Sequence, residues 1–559
     1  MMNRHYFTLA VLVSLCLAVC QRPPEQPPAT RENNRTQTLT AVSGTPIIIS
    51  ILPSESIGTM YERFLPLKYH LEKNLRIPVI IKIAKDYETV ITELGGGQVH
   101  IAVLDPATYC EVRARYRSNV SPLVRVIGER GAASRSVLVT KEGTGIRKAA
   151  DVRGKRLALG NQQSSFSYLI PLAMLHDVGI GIPDFESVDY LEQEDRVALS
   201  VLIGNHDVGA MSESVAEKYT ADGISIIKTS EAIPRFVLCA SRLLSKDLRD
   251  RILASLLAIK DADTVSTFHG TGMGGFVRAD DRDFDVIRVM IKNLTHKDYI
   301  EYGPATIKVA ILPLYSAITL YDRYEPLMRY LSRKTGREFK LVVPKDFDDF
   351  IDVVKSGSVD FSYQNPYVFS LISSSSQIQP LVTTIGDDSA ADGGSDIGGK
   401  FRGVIIVRDD SPITSIEQLR KKKILITSYK SAGGYLSQRI YLLRKGIDPG
   451  RDMTIIDAKR QENVILGVYR GEADAGFVRE SALIVWKDAV DMKRIKVLTQ
   501  TSPLPNWPIA LCGGRTDPGL VKTVTRLLAD LKDKEVLGAA RIRGFKKADE
   551  SEFEALKQY

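Results

Sequence analysis

Metal-ligating side chains are few and scattered in this chain. It holds five cysteines and seven histidines in 559 residues. No two cysteines make a CxxC pair and no histidines cluster, so neither a zinc ribbon, a redox dithiol nor another metal site is expected. Past Cys20 no apolar run approaches the ~20 residues that a bilayer-spanning helix needs. Long runs of Lys or Arg are also missing. The net charge of +8 is spread along the chain, which argues against a nucleic-acid-binding arm and fits a small anionic ligand weakly. No GxSxG elbow occurs, and "GGGQVH" (95–100) is not followed by GK[ST]. Serine-hydrolase and phosphate-loop chemistry are therefore unsupported, and no cofactor is called for.

What is present begins at the N-terminus. "YFTLAVLVSLCLAV" has the length of a signal-peptide core and ends at Cys20 in "LAVC". Leu17 and Ala18 fit a bacterial lipobox, whereas Val19 stands where a small residue is usual. Residues 1–20 are expected to be a lipoprotein-type signal with Cys20 as the lipidated residue; plain secretion is the alternative. Residues 21–43, "QRPPEQPPATRENNRTQTLTAVS", are rich in proline and polar residues and cannot bury a core, so they read as a tether.

The remainder repeats. "ILPSESIGTMYERFLPL" from Ile51 returns as "ILPLYSAITLYDRYEPL" from Ile311. The match runs without a gap to "IAVLDPATY" and "FSYQNPYVF". "GKRLALGNQQSSFSYLIP" then pairs with "KKKILITSYKSAGGYLSQ", and "VLIGNHDVGAMSES" with "VYRGEADAGFVRES". Between the first and second matches the offset grows by seven residues, which the Gly-, Ser- and Asp-rich "GDDSAADGGSDIGGKF" absorbs as an expected surface loop. Two modules are expected, at 44–298 and 305–559, joined by a link short enough for them to touch. Within each, apolar runs alternate with amphipathic helix patterns as β-α-β-α-β, the pattern of a parallel sheet covered by helices. "GKR" and "KKK" open a second β-α-β unit, so each module should have two lobes. Polar ligands in such sheets sit at the carboxyl ends of the strands. Cys239 in "RFVLCASR" and Cys512 in "PIALCGGR" hold matching places and, like Cys110, are expected to be buried thiols.

The order and spacing of these motifs resemble the phosphate/phosphite/phosphonate-binding (PhnD-like) proteins of ABC importers. The resemblance covers nearly all of both modules. It implies an α/β fold of two tandem type II periplasmic-binding-protein modules, each of two α/β lobes with a ligand cleft between them. It also implies a hydroxyl-rich turn that holds an oxyanion at a helix start. Here that turn is Ser164, Ser165, Phe166, Ser167 and Tyr168 in the first module, and Ser431, Ala432, Gly433, Gly434 and Tyr435 in the second. An ordinary N-cap serine is the plain alternative. By the same resemblance, Tyr87 and Phe347 follow the second strand and line the cleft. Asp105 and Asn365 follow the third strand, and Tyr315 lines the cleft from the first-strand loop. Asp207 and Asp474 are either ligand contacts or structural turn residues. The family's His-Asp-Asn-like triplet is replaced by Glu194-Asp195-Arg196 and by Gln461-Glu462-Asn463. Counting hydroxyls makes the first module the better anion site.

The expected function is that of a periplasmic or cell-surface, membrane-anchored bacterial solute-binding protein. It would bind a small oxyanion by hinge closure and partner the permease and ATPase of an importer. Presenting ligand to a membrane sensor or chemoreceptor is one alternative; an envelope lipoprotein with non-functional clefts is another. Enzyme activity is not expected. "GNHD" (204–207) resembles a fragment of a dinuclear phosphoesterase signature, but its counterpart "GEAD" has no histidine.

Overall fold

The computed structural model describes residues 45–128, 133–259, 268, 271–386, 399–485, 491–513, 515–554 and 556. The signal, Cys20, the whole tether and most of the insertion loop lie outside the described residues.

The first module opens with "IIISI" (Ile47–Ile51), flanked in parallel by Val79–Ile83 and Ile101–Leu104. The helices between these strands start where capping residues allow. Ser56 Oγ accepts the Thr59 N–H and starts helix Ile57–Leu75; Asp86 accepts the Thr89 N–H and starts Tyr87–Gly96. Arg76, left-handed at φ 58°, ends the first helix. The sheet is not all parallel, as the pattern of alternating strands and helices predicts. Val237–Ser241 pairs antiparallel with both Ile101–Leu104 and Val120–Ile127, and Gly275–Arg278 forms the far edge. The reason is topological. The chain leaves this lobe after Ile127, builds a second five-stranded sheet, and returns to insert a strand beside the third. In that second sheet the spatial order is Ile224–Thr229, Ser136–Lys141, Val208–Ser212, Arg156–Leu159 and Ser187–Tyr190. The outgoing and returning crossings pair as Ala133–Ser134 with Ile233–Pro234.

The second module repeats this plan. Its first sheet runs Phe339–Val342, Ile307–Ile311, Phe361–Tyr363, Pro508–Cys512, Ile378–Ile385 and Gly544–Lys547. Its second sheet runs Thr454–Asp457, Lys423–Ile426, Ala475–Arg479, Gly403–Arg408 and Ile495–Gln500. The crossings pair as Lys400–Phe401 with Leu504–Pro505.

The modules share a core. Phe284, Ile287, Met290 and Ile291 of the first module join one apolar cluster with Tyr321, Leu327, Met328 and Leu331 of helix Ala317–Thr335. Around it, Arg282 pairs with Glu325 at 2.8 Å, and Arg329 reaches Asp280 and Asp283 at 3.0 Å each. Burial pushes the Glu325 carboxyl up to about 7 against the pull of Arg282 and Arg329. On the returning crossing of the first module, Glu231 accepts the hydroxyls of Ser316 and Thr319. Cys110, Cys239 and Cys512 are buried free thiols. Burial raises Cys110 and Cys512 to about 12, far from the acidic range of reactive thiolates.

Candidate functional site

Each module offers a cleft where the carboxyl ends of its parallel strands face the helical segment that follows "GKRLAL" or "KKKILI". That segment is a π turn running straight into an α-helix, Ser165–His176 in the first module and Ala432–Leu443 in the second. Its N-caps are Ser164, whose Oγ accepts from Ser167 N–H at 3.3 Å, and Ser431, whose Oγ accepts from Gly434 N–H at 3.0 Å.

In the first cleft the predicted residues converge. Asp105 is 2% exposed and caps helix Pro106–Tyr116. Its Oδ1 accepts the Thr108 N–H at 2.8 Å, and its Oδ2 reaches across the cleft to the Ser165 N–H at 2.7 Å. Ser165 Oγ reciprocates by accepting the Ala107 N–H at 2.7 Å. Burial raises the Asp105 carboxyl, and these hydrogen bonds oppose the rise. Tyr87 buries its phenol. Burial first, then the charges of Asp105 and Glu194, hold that phenol well above its ordinary range. Glu194 is itself buried and accepts from Ser212 N–H at 3.0 Å and Ser212 Oγ at 2.5 Å. Burial pushes its carboxyl to about 7; Glu55 and Asp195 add to the rise and Ser212 opposes it.

Sequence reasoning missed Glu55 and Ser212. Glu55 sits in the first-strand loop, is almost fully buried, and pairs with Arg63 at 2.5 Å and with Lys218 of the other lobe. Burial would raise its carboxyl, but the two cations win and hold it below its ordinary value.

The second cleft holds different chemistry at matched positions. Asn365 replaces Asp105: its Oδ1 accepts the Val368 N–H at 2.9 Å and its Nδ2 donates to Lys430 O at 3.2 Å. Phe347 opens helix Phe347–Lys355 where Tyr87 opens its own, and packs half-buried with an apolar cluster. Tyr315 replaces Glu55 and is 48% exposed, with the Arg323 guanidinium 4.2 Å above its ring. Gln461 replaces Glu194 and accepts the Arg479 N–H at 3.0 Å. Arg479 replaces Ser212 and stacks on Phe401 at 4.5 Å.

Two compensated exchanges explain how both turns stay packed. A Cβ on Gly160 would overlap Ser167 Oγ, and a Cβ on Gly434 would overlap Thr427 Oγ1. Position 160 matches 427 and position 167 matches 434, so a hydroxyl occupies the same space from opposite sides. Thr427 thus supplies the hydroxyl that the turn of the second module lacks in sequence. Likewise Phe166 matches Gly433 while Ser212 matches Arg479. A Cβ on Gly433 would lie 3.0 Å from Arg479 Cβ and 3.2 Å from Phe401, so the missing side chain makes room for the arginine. Strict pairing of the two copies, residue against residue, is the signal that finds Thr427 and Arg479.

Asp207 and Asp474 are not in the clefts. Asp207 precedes strand Val208–Ser212 and holds the start of Arg156–Leu159, accepting from Arg156 N–H at 3.0 Å and Nη2 at 2.8 Å. Asp474 does the same for Lys423 N–H at 2.8 Å. Both lie at the amino ends of parallel strands, the edge opposite the ligand side. His206 of "GNHD" is likewise structural, bound to Ser200 at 2.6 Å and Asp189 at 2.8 Å. Among the described residues no group of acidic, His or Cys side chains is arranged to hold a metal.

Comparison with known proteins agrees with this architecture. The family model described as "ABC transporter, phosphonate, periplasmic substrate-binding protein" matches residues 49–284 and again 309–553. The phosphate-import protein PhnD of Mycolicibacterium smegmatis is 24% identical over 201 residues, 34% of this chain and 60% of that protein. The tetrathionate sensor histidine kinase TtrS of Salmonella typhimurium is 25% identical over 236 residues, 40% of this chain and 39% of that protein. The chain thus spans less than two thirds of either relative's length. Among solved structures, PhnD1 of Prochlorococcus marinus in complex with methylphosphonate is 16% identical with a TM-score of 0.40, covering 45% of this chain and 99% of its own.

Proposed function

Given that the chain belongs to the periplasmic substrate-binding family of phosphonate ABC transporters, we propose that it is an extracytoplasmic receptor for a small tetrahedral oxyanion. Phosphate, phosphite and the phosphonates are its candidate ligands. It delivers them to the permease and ATPase of an importer, and it is held at the membrane through lipidated Cys20. Among the described residues no helix is long and apolar enough to cross a membrane. The observation that carries the reading is the cleft itself. Two crossing segments join the lobes of each module, and a hydroxyl-capped helical segment faces the carboxyl ends of the parallel strands. Donors gathered there suit an anion. Two crossing segments also allow the lobes to move as a hinge, with the ligand favouring the closed state through contacts made only there.

The test is thermal unfolding of the chain from residue 21 onward against phosphate, phosphite, sulfate, methylphosphonate and aminoethylphosphonate. A ligand at 100-fold its dissociation constant should add about 2.7 kcal/mol of stability. No shift with any of them at millimolar concentration overturns the reading.

A further inference from the structure

Besides Glu55 and Tyr315, the two clefts differ in charge at three matched positions around the turn. The first has Asp105, Glu194 and Ser212; the second has Asn365, Gln461 and Arg479. Two buried carboxylates face two neutral amides and a guanidinium.

The first cleft is also fastened shut by its own groups. The Ser165 amide, which an oxyanion would take, is given to Asp105 of the opposite lobe at 2.7 Å. Around that bond the lobes are joined by Glu194 N–H to Ser54 O at 3.1 Å, Ser56 N–H to Asp195 Oδ2 at 3.3 Å, Gln193 Nε2 to Glu55 O at 3.2 Å, and the Glu55–Lys218 pair. In the second module the lobes are joined by Asn365 Nδ2 to Lys430 O and by Lys430 to Asp348, but Asn365 spends its oxygen on its own helix and puts no charge on the matched amide of Ala432. Gln364 and Thr427 are buried beside that cleft, Gln364 completely. Neither amide atom of Gln364 nor the Thr427 hydroxyl has a hydrogen-bond partner among the described residues. Buried polar atoms in that state call for a ligand or water. Gln364 stands where the first module has Leu104, at the strand end that opens on the cleft.

We propose that the first module is closed on its own Asp105 carboxylate as a built-in ligand, and that the second is the anion receptor, with Arg479, Thr427 and Gln364 recognising the oxyanion. This rests on the oxyanion reading above and assigns it to one cleft. A like charge repels an incoming anion, whereas a guanidinium meets a tetrahedral oxyanion with paired donors. Gly433 in place of Phe166 is what admits that guanidinium.

Inorganic phosphate and methylphosphonate serve as probes, with calorimetry for stoichiometry and tryptophan emission for location. The chain has two tryptophans. Trp486→Phe leaves Trp507, whose ring lies 5.3 Å from that of Tyr363 in the second module. The expected result is one site per chain, reported by Trp507 and weakened at least 100-fold by Arg479→Gln, with Arg479→Lys intermediate and circular dichroism unchanged. The Asp105→Asn/Glu194→Gln chain should bind two anions. Two sites in the parent, full affinity in Arg479→Gln, or a single site in the Asp105→Asn/Glu194→Gln chain each overturn the assignment while leaving the oxyanion function in place. No binding of either probe to any variant overturns both.

Discussion

The first module joins its lobes at the first-strand loop through a buried ion pair, where the second joins them through Asn365 to Lys430 O and an exposed Lys430–Asp348 pair. In the first-strand loop, Glu55 is buried between Arg63 and the opposite lobe's Lys218, whereas its counterpart Tyr315 is half exposed beneath Arg323. The arginine is the same in both copies, but in one it neutralises a buried carboxylate and in the other it covers an aromatic ring. A duplicated frame tolerates this because strands, helices and caps are held by backbone bonds and apolar packing. Polar groups in the cleft can then be exchanged in compensated pairs, as Gly160 with Ser167 is for Thr427 with Gly434. The lesson is that two clefts of one origin are compared by what their polar atoms touch, not by how many hydroxyls each contains. By hydroxyl count the first module is the better anion site; its buried carboxylates argue the reverse.

The contrast at the arginines should give the largest effect. Arg63→Ala leaves Glu55 buried with Lys218 alone and should cost about 3 kcal/mol, the low end for breaking a buried pair. Arg323→Ala removes a contact to an exposed ring and should cost about 0.5–1 kcal/mol. Chemical denaturation of the two variants measures both, and equal losses would dissolve the distinction.

Glu194 sharpens the comparison through pH. Its folded-state constant of about 7 lies above the ordinary 4.5, so the folded state prefers the protonated form. Its stabilising contribution is therefore full below pH 4.5, declines as pH rises, and levels off above pH 7. Glu194→Gln should remove that decline, gaining on the order of 2–3 kcal/mol at pH 8 and nothing at pH 4. Gln461 already occupies this place in the second module, so that module contributes no such decline. Parallel stability curves for parent and variant between these pH values would contradict it.

The compensated hydroxyls should give the smallest effect. Gly434→Ser brings a side chain onto Thr427 and should destabilise by about 1 kcal/mol through overpacking, the low end because the Thr427 side chain can shift. Adding Thr427→Gly recreates the arrangement of the first module and should recover most of the loss. A double-mutant cycle reads the coupling, and strict additivity would mean that the two positions do not share one space.

Much of this molecule was determined by the sequence itself. The repeat, the alternation of apolar runs with amphipathic helices, and the caps Ser164, Asp105, Ser431 and Asn365 are local signals, carried by residues a few positions apart. Burial of Cys239 and Cys512 follows from their apolar neighbours in matching strands. Tertiary structure alone decided the rest. Antiparallel insertion of Val237–Ser241 into the first sheet depends on where the returning crossing lands. Asp207 and Asp474 precede their strands rather than follow them, which puts them at the opposite edge from the ligand. Asp105 meets the Ser165 amide across 60 residues of chain and between two lobes, and nothing near either residue announces the meeting. Local order is set by the backbone and its neighbours, but the charge and fit of a cleft are set by side chains that only folding brings together.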